Sequence, residues 1–290
     1  MPHGIDGIDH LVIAVRDLDK AREAYSRLGF TLTARGRHTE LKSANHTIMF
    51  AGDYVELLAI EEPHPATAAW SEFLKTREGL AAAALKTADA RAAQTGLAAA
   101  GLSGGEAVDF GRPVDLPEGR RDARFTITQV AAEATPGGRM FLCQHHTRDV
   151  VWRPEYLTHA NGATGLAALI VAADDPEAAA APYATLFGTH VEPRGAIRVV
   201  QTGGGAPIVV APPAALTQLW ADDPVLKAPR PCFAGFAVTV KDFYAAQQVL
   251  QKSKLPTIAG EGVLRVTSQH THGAALAFAE SFDLARVLPG

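Results

Sequence analysis

Two polar residues set inside apolar, strand-like runs are the first candidates for chemistry: His10 in DHLVIAV and Glu56 in YVELLAI. A carboxylate in so apolar a run is costly to bury unless it meets a positive charge or a metal ion. If each run is a regular strand, His10 and Val12 share one face, as do Tyr54, Glu56 and Leu58. An imidazole and a carboxylate aimed into one concavity are donors that divalent ions from Mn to Zn accept. Taken singly, Glu56 could instead pair with an arginine, and His10 could be a satisfied core histidine.

Further polar groups gather in three places. RMFLCQHHT sets Gln144, His145 and His146 in succession at the end of an apolar run. In KSANHTIMFAG, Asn45 and His46 stand at the entry to the strand before Glu56, where the Asn either holds a ligand oxygen or forms an Asx turn. His38, in GRHTELK, could reach the same concavity. VVWRPEYLTHANG adds Trp152, Arg153, Tyr156 and His159, a ring and a guanidinium suited to an anionic planar molecule. Gly203–Gly205 lacks the Lys and Ser/Thr of a phosphate-binding loop and reads as a hairpin turn. No HExxH or CxxC motif occurs, and the two cysteines, Cys143 and Cys232, sit in apolar runs.

Composition narrows the classes. The 290 residues are 47% hydrophobic and 20% charged, with a net charge of -4 and no basic run to track phosphates. Nucleic acid is therefore not an expected partner. No apolar stretch reaches the roughly 18–20 residues that span a bilayer, so no membrane role is expected. The start, MPHGIDGIDHLVIAV, lacks the basic n-region of a signal peptide, and the expected compartment is the cytoplasm.

The elements that must position these residues repeat. From Asp9 to Phe30 a strand rhythm gives way to Asp17 as helix cap, to Ala21, Ala24, Tyr25 and Leu28 at helical spacing, and to Gly29 as stop. The shape returns at Ala82–Leu102, Leu166–Gly188 and Phe236–Leu255, with Asp89, Asp174–Asp175–Pro176 and Asp242 as caps. Strand-like runs follow each helix, among them FTLTARG, HTIMFAG and YVELLAI in the first unit. Four βαββ units are expected, starting near residues 8, 80, 165 and 234. The turn-rich THANGATG (Thr158–Gly165) is the best boundary, giving domains 1–160 and 161–290. GRPVDLPEGRRDA (Gly111–Ala123) reads as a loop near a site mouth or a solvated hairpin extension.

The run GIDHLVIAVRDLDKAREAY, with AGDYVELLAI further on, resembles the vicinal oxygen chelate superfamily (glyoxalase, bleomycin resistance, extradiol dioxygenase), in particular its glyoxalase-like domain branch. The likeness is strong over residues 5–61 and fair over 79–160. In the C-terminal half only the repeat shape carries it. It implies an α+β fold of four tandem βαββ modules in two paired halves, forming cupped mixed sheets with helices outside. It also implies a metal held by His10 on the first strand and Glu56 on the fourth, with further ligands from the paired unit. That unit departs from the pattern. Ala82 stands where its first-strand ligand would be, and counting from Gly138 sets Leu142 opposite Glu56. Strand parity then favours Gln144, whereas the resemblance favours His145, which a bulge would turn inward. His146 lies one step further.

Two functions follow. One is a glyoxalase/dioxygenase-like enzyme that chelates a small oxygenated substrate at a divalent metal (Zn, Ni, Mn, Co or Fe), with Glu56 as catalytic base. Substrate contacts would come from Asn45, His38, His146 and Trp152. The other is a metal-free small-molecule binding protein of the sequestration type, which the missing ligand at Ala82 favours. The C-terminal half offers no comparable set, and the sequence leaves a homodimer open.

Overall fold

The computed structural model describes residues 2–39, 41–260 and 262–280. The first unit runs β1 (Ile8–Ala14), α1 (Leu18–Arg27), β2 (Gly36–His38), β3 (Ser43–Met49), β4 (Tyr54–Ile60) and an added helix α2 (Ala68–Thr76). The second is β5 (Gly79–Lys86), α3 (Ala90–Ala99), β6 (Val108–Leu116), β7 (Gly119–Gln129), β8 (Arg139–His145) and the short α4 (Arg148–Val151). The third comprises β9 (Ala163–Ala172), α5 (Pro176–Phe187), β10 (Val191–Arg194), β11 (Ile197–Val200), β12 (Ile208–Ala211) and α6 (Pro213–Trp220). The fourth has β13 (Cys232–Val240), α7 (Phe243–Lys252), β14 (Ile258–Gly260), β15 (Val263–Val266) and β16 (Ala275–Ala279).

The four aspartates begin the four main helices as the sequence predicts. Asp17, Asp89, Asp175 and Asp242 each accept a hydrogen bond from a backbone N–H in the first turn, at 2.9–3.1 Å. Such a cap contributes about 1 kcal/mol. The strands form two eight-stranded mixed sheets, β2-β3-β4-β1-β5-β8-β7-β6 and β10-β11-β12-β9-β13-β16-β15-β14. In each, two units join through an antiparallel pair of their first strands, β1 with β5 and β9 with β13. The architecture is therefore α+β, two paired βαββ halves, as the repeat implied.

One local expectation shifts. FTLTARG is not a strand along its length: the strand begins at Gly36. The segment 111–123 takes the second of its two expected forms, a hairpin extension: β6 and β7 pair from Val108↔Ile127 to Leu116↔Gly119, with the turn at the tip.

Each sheet has a convex and a concave face. Helices α1, α3, α5 and α7 cover the convex faces, which pack back to back in one continuous core containing Leu11, Ile13, Tyr25, Leu57, Leu97, Leu169, Tyr183, Phe236 and Phe278. Close backbone approach locks them together. Gly7, at φ +93°, is so near that a Cβ there would fall 1.9 Å from the Gly204 carbonyl oxygen. The second concavity is filled. Leu216, Leu219 and Trp220 of α6 pack into it against Ala168, Ala172, Ala237 and Ala277. Among the described residues no helix is long and apolar enough to cross a membrane.

Asp53 sits where the halves meet and accepts a 3.0 Å hydrogen bond from the Leu166 N–H. Burial pushes its carboxyl up to about 6, against an ordinary 3.8. A raised acid favours the folded state while it is protonated, so this contribution is present below about pH 4 and lost as pH rises through about 6. Asp53→Asn keeps an acceptor for Leu166 without the charge. Urea unfolding is expected to show little change near pH 4 and a gain of up to about 3 kcal/mol near pH 7.5. A pH-independent difference would contradict the assignment.

Candidate functional site

The first concavity stays partly open. Its edge strands β2 and β6 curl toward each other until the His38 ring meets Phe110 edge-on at 6.2 Å. The hollow is about 260 Å³ and is lined by residues including His10, His38, Asn45, Glu56, Trp70, Arg112, Arg139 and Phe141. Trp70 of α2 packs toward Val12, Leu58 and Ala82. Val150 and Val151 of α4 fill the other side against Tyr54 and Phe125.

At the floor, β1 and β4 run parallel with His10 beside Tyr54 and Val12 beside Glu56. The Tyr54 ring stacks on the His10 imidazole at 4.2 Å and 17°. His10 Nδ1 lies 2.8 Å from Asp9 Oδ2, so Nδ1 carries the proton and donates it. That leaves the Nε2 lone pair facing Glu56, with Nε2 and Oε2 3.8 Å apart, too far for a shared proton. Asn45 Nδ2 donates to the other oxygen, Glu56 Oε1, at 2.6 Å and fixes the carboxylate. The His38 Nδ1 bonds Ser43 Oγ at 3.0 Å, and burial pushes this imidazole down to about 4, leaving it neutral at physiological pH.

Asp9 is the residue that parity alone would miss. A regular strand puts it on the convex face with Leu11. The pairing of β1 with β5 instead slips between Ile8 and His10, a β-bulge that turns Asp9 toward the His10 side. There it also meets His145 Nε2 at 2.9 Å. Burial opposes its ionisation, yet the hydrogen bonds from His10 and His145 outweigh this and hold the carboxyl well below the usual range. Cys143 Sγ lies 3.7 Å from His145 Nε2, and the ligand atoms of Asp9, Cys143 and His145 all fall within 4.8 Å of one another. Burial, reinforced by Asp9 and Glu56, pushes the Cys143 thiol well above its ordinary range. His145 Nδ1 is buried with no partner.

Of the residues singled out in the sequence, the fold brings His10, Glu56, Asn45 and His38 into one hollow. His145 lies one layer behind, on Asp9. Gln144 faces the opposite way. Its side chain accepts from the Ala90 N–H at 3.1 Å and donates to the Ala88 carbonyl at 2.7 Å, tying β8 to the start of α3. His146 shares that outer face, with Nε2 2.7 Å from Thr126 Oγ1. Trp152 packs behind the hollow against His145 and Tyr54, its Nε1 donating to the Phe50 carbonyl at 2.9 Å. Arg153 pairs outside with Glu118 and Glu155. In the paired unit the register Ala82↔Arg139 and Ala84↔Phe141 mirrors His10↔Tyr54 and Val12↔Glu56. Phe141, not Leu142, is thus the counterpart of Glu56, while Leu142 belongs to the convex core. Arg112 and Arg139 were not foreseen as site residues.

The donor set can be tested against a divalent ion. A lone pair on a neutral imidazole and a carboxylate oxygen face each other with each partner braced from behind, and these two donors fit such an ion. The paired unit adds no third side chain at that point, because its two equivalent places hold Ala82 and Phe141.

Comparison with known proteins agrees with this architecture. No protein of curated function matches the sequence. A hypothetical protein from Staphylococcus aureus matches with TM-score 0.66 and 12% identity, over 93% of this chain and 98% of its own. A mutant of 4-hydroxymandelate synthase from Streptomyces coelicolor matches with TM-score 0.63 and 14% identity, over 99% and 97%. A xylose isomerase-like TIM barrel/4-hydroxyphenylpyruvate dioxygenase fusion protein gives TM-score 0.61 and 14% identity over 96% of this chain, which spans only 49% of it. At such identities the likeness is one of fold. The glyoxalase-like domain family matches residues 8–187. The chain therefore belongs to the glyoxalase-like domain family of the vicinal oxygen chelate superfamily.

Proposed function

We propose that the chain is a metal-dependent enzyme of the vicinal oxygen chelate type, acting in its N-terminal hollow on a small substrate with two neighbouring oxygens. The observation that carries this reading is the pair His10 Nε2 and Glu56 Oε2, facing each other at 3.8 Å in the hollow without a shared proton. Two buried polar groups left so, while each is hydrogen-bonded at its far side, are arranged for a third party. Similar folds that carry dioxygenase and synthase names support the same reading.

His10 and Glu56 would hold the ion. When bound, it supplies Lewis-acid stabilisation of negative charge on a substrate oxygen. The protein's own groups do the rest. Asp9 fixes the His10 tautomer and Asn45 fixes the angle of Glu56. Among the described residues Glu56 is the one carboxylate lining the hollow and thus the candidate base. Tyr54 and Phe141 cover the His10 ring and exclude water. His38, neutral, offers a hydrogen bond to substrate. Asp9, Cys143 and His145 form the competing donor set. An ion there would have to break both imidazole bonds to Asp9 and deprotonate a thiol held well above its usual range, which favours the His10–Glu56 side.

A second reading, a metal-free binding protein for a small ligand, draws on Ala82 and Phe141 standing where further ligands would be. Elemental analysis separates the two. The metal reading expects near-stoichiometric Mn, Fe, Co, Ni or Zn in the wild type, lost in His10→Ala and Glu56→Ala and kept in Gln144→Ala. No metal after reconstitution of folded protein would leave the binding reading. Asp9→Asn removes the brace on His10 and is expected to weaken metal binding about 10- to 100-fold in a competition titration. Unchanged affinity would show that Asp9 does not orient the ligand.

A further inference from the structure

The hollow holds a cation that makes no hydrogen bond to its own walls, with Glu56 acting on it only through space. Arg112, on β6, lines it, yet among the described residues its guanidinium makes no hydrogen bond and no ion pair. Its position is nevertheless defined. A Cβ on Gly36 would fall 2.8 Å from Arg112 Nη1 and 2.3 Å from Asn45 Oδ1, so the guanidinium and the amide that holds Glu56 crowd one point. A second cation, Arg139, stands over the Trp70 ring at 4.9 Å and donates to Gln129 Oε1 at 3.2 Å, with Nη1 unpartnered. Against these two guanidinium groups the described lining residues offer one carboxylate, Glu56, already engaged by Asn45.

A half-buried guanidinium with no hydrogen-bond partner is free to take an anion, and its planar fork matches a carboxylate. The remaining walls are apolar and aromatic: Trp70, Phe110, Phe125 and Phe141, with Phe110 and Phe125 stacked at 5.0 Å. A cavity of about 150 Å³ accommodates benzene, so 260 Å³ has room for one ring and a short acidic arm, not for a nucleotide or coenzyme.

We propose that the hollow binds a small one-ring carboxylic acid, its carboxylate taken by Arg112 beside Asn45 and its apolar body lying against Trp70, Phe110 and Phe141. Arg112 is then the residue that sets the charge of the substrate. This deepens the proposed function and rests on it only in taking the hollow as the site; the anion contact itself needs no metal.

Titration calorimetry with benzoate, its neutral analogue benzamide and phenyl phosphate tests this, in EDTA-treated protein and in protein loaded with Mn²⁺. The expected result is a preference for benzoate over benzamide of about 10- to 100-fold in the metal-free protein, from charge-assisted bonds. Arg112→Gln is expected to abolish it, Arg112→Lys to reduce it, and Arg153→Gln, whose partners lie outside, to leave it intact. If Arg112→Gln does not fold, the lysine variant and the wild-type preference still decide. A preference seen only with Mn²⁺ and kept in Arg112→Gln would overturn the proposal while supporting the metal reading. An Arg112-dependent preference in protein that takes up no metal would do the reverse. Tighter binding of phenyl phosphate than benzoate would overturn the carboxylate assignment. Equal binding of benzoate and benzamide, or no benzoate binding up to about 10 mM, would overturn the anion site altogether.

Discussion

The site depends on one buried carboxylate that accepts from two imidazoles. Asp9 reaches His10 and His145 only because β1 bulges against β5, so that Ile8 and Leu11 both stay in the convex core while Asp9 turns inward. Without the bulge its charge would lie among Leu11, Ile13 and Leu57, a placement that costs several kcal/mol when unpaired. With it, Asp9 stays ionised, the His10 proton is pinned on Nδ1, and Nε2 is aimed at Glu56. The stacked Tyr54 and the amide of Asn45 then fix the remaining freedom of the pair.

The two halves share topology and differ in what enters the cup. Helix α6 inserts Leu216, Leu219 and Trp220 into a concavity whose strands carry small alanines. In the first half α2 brings Trp70 only to the wall, and α4 fills one side with Val150 and Val151. The polar set of β1, β3 and β4 is kept clear, and the long β6–β7 hairpin closes over it carrying Arg112. The repeated unit thus supplies the same sheet twice and a ligand-sized hollow in the first.

Much of this was legible in the sequence, for local reasons. The four aspartate caps and the helical spacing behind them are short-range signals, and each appears where it was expected. His10 and Glu56 stood out because polar groups in apolar runs need partners. What was not legible depends on pairing between distant strands. Asp9 reads as a convex-face residue until the bulge is seen. The β5–β8 register moves the counterpart of Glu56 from Leu142 to Phe141, a one-residue step that turns Gln144 and His146 to the other face. Arg112 is hidden in a Pro- and Gly-bearing stretch that reads as a loop or a solvated hairpin, and only curling of the sheet brings β6 to β2. FTLTARG, with its alternating Thr and Leu, has strand propensity, but it meets β3 by one backbone bond from Thr33 to Thr47 and joins it in regular pairing only from Gly36.

The most direct test of the central claim is a crystal structure of the protein grown with Mn²⁺, with the ion located by its anomalous signal. One peak is expected between His10 and Glu56, about 2.0–2.3 Å from His10 Nε2 and a Glu56 oxygen, with the Asp9–His10 bond intact. A peak among Asp9, Cys143 and His145, with His10 turned away from Glu56, would contradict it.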